Sequence, residues 1–349
     1  MVKRIVEKDV ARRVKTVNDK LPFKEAGDTK VRRPISMHGK QRAWIINGLR
    51  HLKAPTVIAT LVALIFAVPG LDFERPIDRL ETFAGCMSVT KGEWEEGRKA
   101  VPFDVTYSSD MDLLSAQGFA NALYHACNVL PGSGSMSAPV CSTFVIVSRG
   151  STHRSPTNPL GRQDSESVRQ GTILANRALV ILFILAAKGC WTILEQPASS
   201  CMEHLPLFQY FLRLVPQVKM FMRMGDHGGP TPKPTLLYSS HACIAGLNDF
   251  RTMPQHRNRE ITVRYTNRAG EKRWHGGKDM KGSQSYPRQF GVSLARLRTL
   301  HEKRNKRKAV RFLRAARRTT NDFDTRVRIN KAWTDGADLS SVISYLSQK

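Results

Sequence analysis

Cys141 and Glu195 carry the strongest chemical suggestion in this chain. Cys141 ends the stretch Ser137-Ala138-Pro139-Val140-Cys141, and Glu195 ends Trp191-Thr192-Ile193-Leu194-Glu195 and opens onto Gln196-Pro197. A thiolate that adds to carbon 6 of a cytosine ring needs an acid to protonate, or hydrogen-bond to, ring nitrogen 3 as charge develops there. A thiol in one strand region and a carboxyl at the end of the neighbouring strand supply that pair, although a lone cysteine is more often a small buried hydrophobe. A second pair stands upstream. Gly85, in Phe83-Ala84-Gly85-Cys86, lets the backbone turn after a strand and approach a nucleoside cofactor, and Asp104, nineteen residues later, ends another strand with a carboxylate for ribose hydroxyls. A third set is Gln255-His256-Arg257-Asn258-Arg259, whose amide and two guanidiniums stand at i, i+2 and i+4 and so share one face of an extended chain. They suit a base carbonyl and phosphates. The plainer readings are a turn glycine, a capping carboxylate and a solvated basic edge strand.

Positioning these groups calls for strands alternating with helices. The apolar pattern predicts strands at 79–83, 98–103, 140–147, 191–194 and 261–265, with helices at 113–130, 167–188 and 202–214. That alternation predicts an α/β fold, a Rossmann-like doubly wound and mostly parallel sheet in which ligands sit outside the carboxyl ends of strands. The Gly, Pro and Ser clusters at 131–135, 149–159 and 225–234 read as loops. The uncharged run 54–71 has about twelve well-suited apolar residues between Pro55 and Pro69, short of the roughly 20 that a membrane span needs, and reads as a buried helix.

Charge divides the chain. Of 349 residues, 55 are Lys or Arg and 29 are Asp or Glu, a formal net charge of +26. Residues 1–53 carry a net +10 and 288–331 a net +12, while 54–287 carry only +5. The expected organisation is a basic N-terminal extension (1–53), an α/β body (54–297) and a basic helical C-terminal arm (298–349). Two basic arms on a nearly balanced body predict binding to a polyanion, with DNA preferred over RNA. Without a targeting peptide, such arms suit the nucleus, though an organelle would also accommodate them. The composition excludes collagen-like, coiled-coil and wholly disordered chains. The six cysteines form no CxxC pair and show no metal-ligand spacing, so reduced thiols and no metal site are expected.

The ordered series Phe83-Ala84-Gly85, Asp104, Pro139-Val140-Cys141, Leu194-Glu195-Gln196-Pro197 and Gln255-His256-Arg257-Asn258-Arg259 resembles the cytosine-5 DNA methyltransferases. The Lys-Pro-Thr at 233–235 and the segment from Gln284 are similar to further parts of that family, and the resemblance spans about 80–297. It implies a Rossmann-type enzyme that binds S-adenosylmethionine through Phe83, Gly85 and Asp104. It also implies Cys141 as nucleophile, Glu195 on the cytosine ring, and Arg257 and Arg259 completing the site. Several positions depart from the family pattern. Met87 stands where a second glycine is usual, Val140 where proline directly precedes the nucleophile, and Gln196-Pro197 where Asn-Val follows the glutamate. Only about two dozen residues fill the place of a target-recognition domain. A catalytically decayed fold that serves as a nucleic-acid-binding module is the alternative. A metal-dependent recombinase is a third reading, for which the chain offers only the pair Asp110 and Asp112.

Overall fold

The computed structural model describes residues 37–252, 262–270, 272–276 and 282–319. In chain order these form α1 (Met37–His51), α2 (Thr56–Phe66), β1 (Ile77–Thr82), α3 (Ser88–Glu95), β2 (Ala100–Phe103), α4 (Ala116–Asn128) and β3 (Val129–Ser137). They continue with α5 (Glu166–Ala187), β4 (Trp191–Pro197), α6 (Pro206–Leu214), β5 (Val218–Arg223) and β6 (Pro234–Ser239). A 3-10 run (Ala242–Phe250), a separate hairpin of β7 (Thr262–Thr266) and β8 (Lys272–Gly276), and the long α7 (Arg288–Thr319) complete the order.

Six strands make one sheet in the order β2-β1-β3-β4-β6-β5. The first four are parallel, whereas β6 runs antiparallel to both β4 and β5. The fold is therefore α/β with a mostly parallel mixed sheet, helices covering both faces. On one face α1, α2, α4, α5 and α6 bury Ile45, Leu49, Val62, Ala122, Leu182 and Phe208 against Leu80, Phe103 and Leu194. On the other, α3, α7 and the 3-10 run bury Val89, Phe290, Leu294 and Leu247 against Met136, Ile193 and Leu237. Alternation along β4 sends Ile193 and Leu194 to opposite faces, as a strand covered on both sides requires.

The uncharged run 54–71 folds as expected into α2, with Ile58, Val62 and Ile65 buried. The helix α5 is long and apolar enough to cross a membrane by length and composition, and its residues Leu179 to Leu185 sit at the centre of the core. The position 53/54 lies between two helices packed on the same core, and 297/298 lies inside α7. Residues 1–36 and 320–349 lie outside the described residues.

The strand expected at 140–147 is instead an irregular segment with a 3-10 turn at Ile146–Ser148, and the sequence Pro131-Gly132-Ser133-Gly134-Ser135, read as a loop, is the body of β3. The reason lies on the neighbouring strand. Arg79 is fully buried on β1, and a Cβ on Gly134 would stand 2.7 Å from its Nη2. Small residues there make room for a large cation rather than for a turn. Arg79 pairs with the buried Glu93 of α3, which also pairs with Arg98 and faces Arg298 of α7 at 3.6 Å. Arg298 further donates to the Asp78 carbonyl at 3.0 Å and the Ser133 hydroxyl at 2.8 Å, pinning α7 to the sheet.

The crossing of α3 and α7 is closer still. A Cβ on Gly291 would overlap the Ser88 carbonyl oxygen, and one on Gly92 would overlap that of Gly291. Backbone meets backbone, and no other residue fits at either position.

Candidate active site

Because β1, β2, β3 and β4 are parallel, their carboxyl ends lie along one edge of the sheet. The chain passes from β1 to β2 on one side and to β3 on the other, so the crevice between β1 and β3 is the point where strand order reverses, the usual ligand position in open α/β sheets. The loops after β1 and β3 hold the two halves of the expected site.

After β1, Phe83, Gly85 and Met87 all take left-handed backbone conformations, with φ of 58°, 50° and 60°. Gly85 N donates to Asp104 Oδ2 at 3.0 Å, so the glycine and the carboxylate are brought together as expected. The other Asp104 oxygen accepts from Thr106 N and Oγ1 at 2.9 and 2.8 Å, and the Tyr107 hydroxyl donates to the Gly85 carbonyl. A Cβ on Gly85 would meet nothing within 4 Å, which leaves open room beside the loop. Glu81 of β1 supports it from below: Oε2 accepts from Thr90 N and Oγ1 at 2.7 and 2.5 Å, at the N-terminal end of α3. Burial pushes the Glu81 carboxyl up to about 7, against the opposing pull of those hydrogen bonds.

After β3, Cys141 is partly buried, with Val140 exposed beside it. Glu195 is buried on β4, and its Oε1 faces Lys233 Nζ at 3.5 Å. Lys233 belongs to this edge because β6 runs antiparallel, which sets its start beside the end of β4 in the pair Pro197–Thr235. Desolvation pushes the Cys141 thiol up to about 11; Glu195 adds to the rise and Lys233 opposes it. The loop is anchored by Gln196, which donates to the Pro139 carbonyl at 2.8 Å and accepts from Ser200 Oγ at 2.9 Å.

Tyr286, just before α7, joins the halves. Its carbonyl accepts from Ser88 Oγ at 2.6 Å and from Cys86 Sγ at 3.2 Å, next to the loop after β1. Its hydroxyl hydrogen-bonds Glu195, and Lys233 Nζ lies 4.8 Å from its ring centroid. Burial and the Glu195 carboxylate hold its phenol well above the usual range.

Of the expected residues, Phe83, Gly85 and Asp104 share one cluster, and Cys141 and Glu195 another. Arg257 and Arg259 lie outside the described residues, although the strand expected after them is present as β7. Lys233 and Tyr286 were visible only as parts of family-like segments; nothing in their spacing signalled that a reversed strand and the root of α7 would deliver them to Glu195. Asp110 and Asp112 do local work instead: Asp110 Oδ1 accepts from Gln117 Nε2 at 2.9 Å and Asp112 Oδ1 from Leu114 N at 2.8 Å.

No protein-family model matches the chain, and no curated protein matches its sequence.

Proposed function

We propose that the chain is an S-adenosylmethionine-dependent methyltransferase-like protein acting on cytosine in nucleic acid. The observation that carries this reading is the placement of the Gly85–Asp104 pair and the Cys141–Glu195–Lys233 set on either side of one switch-point crevice, joined by Tyr286. The open space beside Gly85 and the carboxylate of Asp104 fit a nucleoside cofactor, which supplies the methyl group when bound. Phe83 completes that cradle. Cys141 is the nucleophile, its thiolate favoured by Lys233, and Glu195 holds a ring nitrogen of the base, as the family resemblance implies. Arg257 and Arg259 contact base and phosphate. The basic arms hold the polyanion, DNA in preference to RNA, without reading its sequence, in the nucleus.

One observation favours a second reading, a binding module whose catalysis has decayed. A nucleophilic cysteine ordinarily has a depressed pKa, whereas Cys141 is pushed up. Transfer of labelled methyl groups to mixed DNA and RNA separates the two. The first reading expects transfer by the full chain, none by Cys141→Ser, and unchanged nucleic-acid binding by that variant. Transfer undiminished in Cys141→Ser would sink the covalent mechanism. Absence of transfer together with no rise in melting temperature at saturating S-adenosylmethionine would leave the binding module, because a ligand bound to the native state stabilises it.

A further inference from the structure

We propose that His241, Cys243 and His301 form a binding site for a divalent transition metal of the zinc class, which fastens α7 to the segment after β6. One donor atom from each of the three residues lies within 4.8 Å of the other two. The imidazoles of His241 and His301 meet edge to face with centroids 4.2 Å apart, and all three residues are partly buried. The site is separate from the Cys141 edge. His241 follows the end of β6, where Ser240 N donates to Thr192 O at 3.0 Å, and this is the edge at which β4 begins rather than ends.

Two imidazole nitrogens and a thiolate suit zinc or cobalt(II); magnesium and calcium take oxygen donors. With bonds of about 2.0 Å to nitrogen and 2.3 Å to sulfur, donors around a tetrahedral ion stand about 3.3–3.6 Å apart. Modest side-chain rotations therefore close this set. Cys243 N donates to His241 Nδ1 at 3.1 Å, a bond given up on coordination because Nδ1 must then hold either the metal or a proton. Coordination exchanges that hydrogen bond for metal–ligand bonds. The thiol gives its proton to solvent as its sulfur bonds the ion, one proton released for each ion bound. Three of the described residues supply donors.

Residue spacing gives no hint of this site. A His-x-Cys pair lacks the usual spacing of a metal motif, and His301 comes 58 residues later, in the fourth turn of α7.

Cobalt(II) titration of the reduced, metal-free full chain tests the proposal. One equivalent should bind with the d–d bands of a tetrahedral ion and an intense sulfur-to-cobalt charge-transfer band. Cys243→Ser should lose the charge-transfer band, and His301→Gln should weaken binding at least tenfold. Zinc should raise the melting temperature of the wild type and of neither variant, with circular dichroism confirming that both are folded. Should Cys243→Ser fail to fold, His301→Gln decides the question alone, and cobalt binding by that variant as tight as the wild type's overturns the site. No saturable cobalt binding by the wild type, or a charge-transfer band retained in Cys243→Ser, overturns it equally.

Discussion

Lys233 Nζ stands 3.5 Å from Glu195 Oε1 and at the same time lies over the ring of Tyr286, so a single ammonium touches the carboxyl and the aromatic that together close the site. Neither partner is near Lys233 in sequence. The reversed strand β6 makes the meeting.

Lys233→Met strips the cation from a buried carboxylate. Removing one partner of a buried pair costs about 3–5 kcal/mol. Urea unfolding should record a loss of that order, and Cys141 should alkylate more slowly at fixed pH because Lys233 holds its thiol pKa down. Adding Glu195→Gln should recover most of the stability. Strictly additive losses in the double variant would mean that the pair is not coupled.

Gln196→Leu removes the donor to Pro139 O and the acceptor of Ser200 Oγ. Leaving the buried Pro139 carbonyl and the half-buried Ser200 hydroxyl unpaired costs about 1–3 kcal/mol, and the freed loop should expose Cys141. Peptide-resolved alkylation should show a faster Cys141 and unchanged Cys127 and Cys190, which lie in the core. An unaltered Cys141 rate would show that Gln196 does not position the loop.

Glu81 gives a pH signature. Its folded value of about 7 lies above its ordinary 4.5, so below pH 4.5 both states are protonated and its contribution is intact. Between about pH 4.5 and 7 the unfolded chain has released this proton and the folded chain has not, so stability falls as pH rises, by on the order of 3 kcal/mol for this group. His125, held down to about 4 by burial, acts oppositely, losing stability as pH falls from 6.5. The difference between wild type and Glu81→Gln isolates the carboxyl. Parallel stability curves for the two proteins from pH 4.5 to 7 would remove Glu81 as their source.

Met87 has φ of 60° at the N-terminus of α3, where only glycine is at ease. Met87→Gly should raise stability by about 1 kcal/mol, the cost of a left-handed non-glycine residue less the added freedom of the unfolded chain. A lower urea midpoint would show that the Met87 side chain contributes more than its backbone costs.

The alternation of strand and helix was legible in the sequence because β1, β2, β4 and β7 carry ordinary strand signals. Strand β3 was not, since Gly and Ser are turn residues by habit and the buried Arg79 that requires them lies on another strand. The antiparallel pair β5 and β6 hid for a related reason: Pro234 and the glycines before it read as loop. In the candidate site, the spacing of Gly85 and Asp104 across one βαβ unit and the place of Glu195 after a strand are legible in the sequence, whereas Cys141 falls within the strand expected at 140–147 and instead follows β3. Lys233, Gln196 and Tyr286 depend on where distant segments return, and local periodicity carries no record of that.

The glycine crossing of α3 and α7 sets a mechanical condition on the C-terminal arm. With Gly92 and Gly291 in backbone contact, no side chain at the joint can slide or change rotamer to absorb a pull. The exposed Lys303 and Arg304 continue the same helix, whose root at Gly291 lies five residues from Tyr286. The same backbone crossing therefore fixes where Tyr286 meets Glu195.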